Sequence, residues 1–343
     1  MEGVWMNRRV LVSLLLVAVL VIALGVPSLS AKYPSKPVTV VIPWGAGGNT
    51  DIAARGFIPV FEKYLGQPVV ISNRAGASGA IGTDYVNSVP ADGYTILWSA
   101  ETLATFRVMD LSKLTFADFD PLMMMVDDQK ILCVSAKSPY KTFEQLVAAI
   151  KANPGKIKMS YSAPGASGHI QGLLLQASGL DIKLIPFGSG AELTLAVLNG
   201  TVDFAFPATG QALGYVNSGD MRALAVFGEE PSAAFPGVPP ITAGLPAFKR
   251  YMPLSFPSCI LLKKGTPTDV RNTIMDALVK ASKDPQWLEF AKKMNYQLRH
   301  DITNKAVLDY WTRWESIVSW LLYDNGVAKK SPAEFNIPRF QGN

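Results

Sequence analysis

The sequence predicts an α/β protein built as two units, each opening on a strand, a glycine-rich turn and a helix. Residues Val40–Phe57, VVIPWGAGGNTDIAARGF, run from an apolar strand through a glycine turn into a helical pattern. Residues Ser160–Gly172, SYSAPGASGHIQG, repeat that design later in the chain. A hydrophobic content of 49% against 17% charge describes a globular chain, and 343 residues suffice for two lobes of ordinary size.

Taken in order, the elements are short. Val38–Pro43 is a strand, and Asp51–Leu65 is a helix closed by Gly66, with Pro59 inside it expected to kink or break it. Pro68–Asn73 is a second strand, the turn Arg74–Gly82 feeds a helix around Thr83–Ser88, and Tyr94–Ala100 is a third strand. This β-α-β-α-β rhythm calls for a mostly parallel sheet flanked by helices. After a loop-rich section, Glu101–Leu122, Lys130–Lys137 reads as a strand. Thr142–Lys156 follows as a helix, opening with a capping-box-like Thr142-x-x-Gln145 and ending at Pro154-Gly155.

The rhythm then restarts. KMSYSA, IKLIPF and VDFAFPA are strands, alternating with the helices Ile170–Gly179, Ala191–Gly200 and a short one near Gln211–Val216, and Arg222–Gly228 is a further strand. A Pro/Gly-rich segment, Glu229–Phe248, precedes the strand in SFPSCILLKKG; the helices Thr268–Ser282 and Ala306–Tyr323 follow. Returning these last helices to the first unit gives two lobes joined by two crossovers, near Ala136 and Leu254. Residues 31–136 with 255–343 form the first lobe, and residues 137–254 the second.

Residues 1–30 read as a secretory signal. Arg8 and Arg9 precede an apolar run, Val10–Leu24, with Pro27 and the small residues Ser28 and Ser30 behind it. The run is short for a bilayer span of about 20 residues, so cleavage near Ser30 and export to the periplasm are expected. Removing Arg8, Arg9 and Glu2 from 32 basic and 27 acidic residues leaves 30 against 26. That mild, dispersed charge lacks the basic stripe with interleaved aromatics that nucleic-acid binding needs. Cys133 and Cys259 lie in separate strands and are expected as unpaired thiols, although export permits a disulfide.

The glycine turns carry the chemistry. In PWGAGGNTD, Gly45, Gly47 and Gly48 allow positive φ and close ligand approach, and Asn49 or Thr50 can serve as N-cap. Orphan N–H groups at the helix start then face an anion, each charge-assisted bond contributing roughly 1.5–3 kcal/mol. Asp51 competes for the same amides, capping its own helix or orienting water. In the second unit Ser162, Ser167 and the amides of Ala163, Gly165, Ala166 and Ser167 supply donors, with His169 a helix-terminal hydrogen bonder. Asp203 reads mainly as a tie between segments, and Pro207–Thr209 as cleft lining.

Other chemistries fit less well. Gly45-x-Gly47 lacks the third glycine of a dinucleotide fingerprint, although Arg74 would suit a 2′-phosphate. Ser167 and His169 miss the Gly-x-Ser-x-Gly elbow of a hydrolase. Two histidines and two cysteines without ligand spacing exclude the usual zinc patterns, and Asp127-Asp128 look like a solvated loop. No metal or cofactor is expected.

Six segments, YPSKPVTVVIPWGAGGNTDIAAR, LGQPVVISNRAGASGAIGTDYV, PADGYTILWSA, PGKIKMSYSAPGASGHIQG, IPFGSGAELTLAVLNGTVDFAF and MRALAVFGEEPSAAFPGVPPITAGLPAF, occur in one order. In that order the chain resembles the Bug family, the extracytoplasmic substrate-binding component of tripartite tricarboxylate transporters. The resemblance runs from Lys32 to the last helix. It implies a two-lobed periplasmic-binding-protein fold of type II, closing over a ligand about a hinge of two crossing segments. In such a fold the strands of Cys133 and Cys259 would run together on the hinge side of the first lobe.

The resemblance also implies that backbone amides and ordered water hold a carboxylate between the two glycine turns. Carried over, the first-lobe contacts are Trp44 to Asp51, with Ala46, Gly47, Gly48 and Thr50 foremost; Trp44 stands where many members have Phe. The second-lobe contacts are Ser162, Ala163, Gly165, Ala166 and Ser167, with His169 nearby, Ser189 from the PFGSG turn, and Asp203 or Pro207 at the edge. The expected protein is a monomeric, non-enzymatic solute-binding protein that delivers a small carboxylate to membrane permease subunits. A periplasmic hydrolase using Ser167 and a ligand sensor for a membrane receptor are the alternatives. With no Arg or Lys in either principal turn, selectivity is expected from pocket shape and water.

Overall fold

The computed structural model describes residues 32–127, 129–252 and 254–341; the expected signal segment lies outside the described residues. The chain forms two sheets. The first contains β1 (Val38–Ile42), β2 (Val69–Asn73), β3 (Thr95–Ser99) and β4 (Phe119–Asp127), completed from far along the chain by β10 (Pro257–Lys263) and β11 (Gln297–Leu298). Its order is β11-β4-β10-β3-β1-β2, with β1 parallel to both neighbours and β10 antiparallel to β3 and β4.

The second sheet contains β5 (Ile131–Ser135), β6 (Lys158–Tyr161), β7 (Lys183–Pro186), β8 (Phe204–Ala205) and β9 (Met221–Val226), in the order β7-β6-β8-β5-β9. Here β6 is parallel to both neighbours, and β5 is antiparallel to β8 and β9. Each lobe therefore has a parallel triplet whose middle strand comes first in sequence, which is why the strand–turn–helix pattern is visible twice. The fold is the two-lobed α/β type expected, with two segments crossing between the sheets.

The first crossing is earlier than the sequence implied. It falls between Asp127 and Ile131, because β5 pairs with Ala205 and Ala223 through Cys133 and belongs wholly to the second sheet. Cys259 sits in β10 opposite Ser99 and Met124 in the first sheet, so the two thiols do not run together. Both are free and fully buried, and burial pushes both thiols well above their ordinary range. An apolar run such as KILCVSAK identifies a buried strand without identifying its sheet.

The helices begin with α1 (Asn49–Leu65), α2 (Ala80–Ser88) and α3 (Phe106–Met109) in the first lobe, and continue with α4 (Phe143–Ala152), α5 (Ser167–Ala177), α6 (Gly190–Leu198) and α7 (Thr209–Asn217) in the second. After the short α8 (Ile241–Gly244) come α9 (Thr268–Ala281), α10 (Pro285–Lys293) and α11 (Lys305–Asp324). Helix α1 runs unbroken through Pro59. Its buried face, Phe57, Ile58, Val60 and Phe61, packs into the first-lobe core, and α9 and α10 cover it, so tertiary burial outweighs the lost backbone bond.

The section Glu101–Leu122 is not an open loop. It holds a 3-10 turn at Glu101–Thr105 and α3, with Glu101 to Phe106 all buried. Helix α11 packs on this turn and on β4, as expected for a return to the first lobe, and it also reaches α5 of the second. Phe116 stacks on Trp311 of α11 at 4.5 Å, and Arg107 pairs with Glu315 at 2.7 Å. One apolar cluster includes Phe106, Met109, Ile170, Leu174, Trp311 and Trp314, so the lobes share a core on this side.

Candidate functional site

Strand ends from each parallel triplet open onto one cavity of about 300 Å³ between the lobes. Crevices outside the carboxyl ends of parallel strands, where the strand order switches, are where α/β folds bind ligands. The first lobe contributes Trp44 to Thr50 after β1 and Ala100 and Glu101 after β3; Phe256 and Ser258 come from the antiparallel β10 and the segment leading into it. The second lobe contributes Ser162 and Ala163 after β6, Gly188 to Ala191 after β7, and Phe206 to Ala208 after β8.

The first-lobe turn is fixed from below. Gly48 is the N-cap with no side-chain cap bond, so neither Asn49 nor Thr50 caps α1; both lie inside its first turn, where amides have no intrahelical acceptor. Gly47 has φ +78°. The Asp51 carboxylate, 1% exposed, accepts Gly47 N–H at 2.8 Å, Arg55 Nε at 2.8 Å and Asn73 Nδ2 at 3.0 Å. Burial alone would raise that carboxyl, but these bonds hold it below the usual carboxylate range. Asn73 also donates to the Trp44 carbonyl. Asp51 is therefore a brace under the turn and does not line the cavity.

The second-lobe turn is also committed internally. Gly165 N–H donates to His169 Nδ1 at 3.0 Å, Ala166 N–H to the Ala163 carbonyl at 3.1 Å, and Ser167 N–H to Glu101 Oε1 at 2.9 Å. Three of the four amides expected to face a ligand are thus already bonded. Gly165 and His169 lie behind the cavity wall, while Ser162, Ala163, Ala166 and Ser167 line it. His169 stacks on Tyr161 at 4.5 Å, and burial lowers its pKa to about 4. With Nδ1 committed to Gly165, the imidazole is a brace and not a base for Ser167. Gly165 packs so closely on the first lobe that a Cβ there would meet Thr105 Oγ1 at 2.8 Å.

Ser189 is the N-cap of α6, accepting Glu192 N–H at 3.2 Å, while Glu192 accepts Gly188 N–H at 2.9 Å; Ser189 and Pro207 both line the cavity. Asp203 does not: it accepts Lys158 N–H at 2.8 Å and ties β6 to the start of β8. Arg74, on which a 2′-phosphate reading depended, lies 3.5 Å over the Tyr85 ring and off the cavity. Among the described residues, no cluster of histidine, cysteine and acidic side chains is placed to hold a metal.

Two ionisable residues of the cavity escaped the sequence reading, Glu101 and Lys130. The cavity wall therefore carries ionisable side chains outside the two glycine turns. Ser258, 5% exposed, also lines the cavity with its Oγ lacking a partner among the described residues, as does Trp44 Nε1. No local pattern marks Glu101, Lys130 or Ser258, because the cavity gathers them from segments far apart in sequence.

Asp127 is a further correction. It is 3% exposed, ends β4, pairs with Arg299 at 3.0 Å and accepts Phe256 N–H at 3.2 Å, so it ties the two crossing segments together; Asp128 lies outside the described residues. A second cavity of about 300 Å³ adjoins this clasp and shares Lys130 and Phe256 with the first.

The two histidines predict an acid sensitivity. Burial lowers His300 as well as His169 to about 4, against 6.5 when exposed, and His300 accepts from Trp287 Nε1. Between those values the unfolded chain binds protons that the folded chain refuses. Stability present above pH 6.5 should therefore decline as pH falls toward 4. Denaturant unfolding across that range, in wild type and a His169→Gln variant, checks this; an unchanged slope in the variant would remove His169 from the effect.

The model of the tripartite tricarboxylate transporter family receptor matches residues 54–321. Protein BugT of Bordetella pertussis is 30% identical over 249 residues, covering 71% of this chain and 76% of that protein. The solved structure of periplasmic binding protein BugD superposes with a TM-score of 0.79 at 26% identity, covering 87% of this chain and all of that one. MatC from Rhodopseudomonas palustris, solved with bound malate, shares the fold at a TM-score of 0.73 and 24% identity, covering 83% of this chain and all of that one. No helix among the described residues is long and apolar enough to cross a membrane. With the family match spanning most of the chain and both parallel triplets aimed at one cleft, this protein belongs to the tripartite tricarboxylate transporter receptor family of solute-binding proteins.

Proposed function

We propose that the protein captures a small carboxylate in the interlobe cavity outside the cytoplasm and delivers it to the permease subunits of a tripartite tricarboxylate transporter. The observation that carries this reading is the first-lobe turn. It presents the first-turn amides of a long helix to the interlobe cavity, while Asp51 holds the turn from beneath. The malate bound by MatC is compatible with such a site. No covalent step is involved: a ligand that touches both lobes favours the closed arrangement by its differential affinity for it. Division of the chain at the two crossings gives the lobes that move.

A thermal-shift screen of mono-, di- and tricarboxylates and aromatic acids tests the reading. At least one carboxylate at millimolar concentration should raise the melting temperature, by mass action on the folded state. A screen without any shift would remove the proposal.

A further inference from the structure

We infer that Glu101 sets the chemical class of the ligand: one carboxylate for the first-lobe turn, joined to a hydroxyl or ammonium donor, in preference to a plain dicarboxylate. This inference rests on the function proposed above. Two symmetric glycine turns suggest two anion positions, one per lobe. The second is already filled by the chain itself, since Glu101, 7% exposed, caps α5 through Ser167 N–H at 2.9 Å. The neighbouring amides of Gly165 and Ala166 are bonded within their own turn. A second ligand carboxylate there would have to displace Glu101 or sit beside a like charge.

What the same end of the cavity lacks is a group to satisfy Ser258. Cys259 stands opposite Ser99, the antiparallel direction carries Ser258 toward Ala100 at the end of the first sheet, and Ser258 and Glu101 line the same cavity. Its hydroxyl is nine-tenths buried, lines the cavity and has no partner among the described residues. Buried polar groups are ordinarily bonded, so this orphan points to a ligand atom. A hydroxyl or ammonium group can donate to the Glu101 carboxylate, a hydroxyl can do so while exchanging a bond with Ser258, and a carboxylate can donate to neither. Trp44 Nε1, a donor only and also unpartnered, suits the ligand's carboxylate at the first-lobe side.

Calorimetric titration of the protein with succinate, 4-hydroxybutyrate and 4-aminobutyrate, and with the corresponding three- and five-carbon sets, tests this. The hydroxy or amino acid should bind at least tenfold tighter than the dicarboxylate of equal length. In Glu101→Gln, which keeps an acceptor for Ser167 N–H but loses the charge, that ratio should shrink at least tenfold. Ser258→Ala should weaken the hydroxy acid at least threefold, and the hydroxy and amino arms identify which donor the site takes. Preferential binding of the dicarboxylate would overturn the inference and leave carboxylate capture standing. An unchanged ratio in Glu101→Gln would also overturn it. Absence of binding by every acid would overturn both.

Discussion

Arg299→Ala should destabilise the protein by about 3–5 kcal/mol at neutral pH, the usual cost of leaving one half of a buried ion pair. Asp127 is 3% exposed, and burial already pushes its carboxyl up against the opposing pull of Ser255, Arg299 and Phe256. Without the guanidinium at 3.0 Å, the carboxylate would stay charged without a counter-ion or take up a proton. A folded-state pKa raised above its unfolded value gives stability that is lost as pH rises, so the penalty should shrink as pH falls toward 4. Denaturant unfolding at pH 7 and pH 4.5 measures both parts. A cost below about 1 kcal/mol at pH 7, the range of a surface pair, would show that the clasp between the crossing segments carries little.

Gly48→Val should abolish the ligand-induced thermal shift while leaving the ligand-free melting temperature nearly unchanged. Gly48 has φ −73° as the N-cap of α1, a conformation open to any residue, so the substitution introduces no φ strain. A Cβ there would meet the Gly45 carbonyl at 3.3 Å, a close contact that the turn must relieve by a few tenths of an ångström, and no other atom within 4 Å. The branched side chain would stand between a ligand and the Asn49 and Thr50 amides, removing charge-assisted bonds of roughly 1.5–3 kcal/mol each. That corresponds to more than a tenfold loss of affinity. An unaltered ligand shift in this variant would take the first-lobe turn out of the site.

What could be read in the sequence was what short-range pattern encodes. VTVVIPWGAGGNTD and KMSYSAPGASG place a β-branched strand, a glycine turn and a helix start in a row, and the structure brings both turns to one cavity. The residues that surround them were harder to see. Glu101 follows β3 in a stretch with weak periodicity, and it is buried by a turn from the other lobe and by α11, both distant in sequence. Asp127 sits in a polar Asp-Asp-Gln-Lys run that looks solvated, yet its partner Arg299 lies 172 residues away. Lys130 immediately precedes β5, a strand whose sheet an apolar run cannot reveal. The inward braces, Asp51 and His169, occupy spacings compatible with ligand contact, and only the packing shows that they hold the turns from behind.

The most direct measurement is a crystal structure of the protein with the tightest-binding acid from the screen. The ligand carboxylate should lie within hydrogen-bond distance, about 2.7–3.2 Å, of the peptide N–H groups between Ala46 and Thr50. A ligand resting in the cavity beside the Asp127–Arg299 clasp, or held chiefly by Lys130 with the turn amides untouched, would contradict the account.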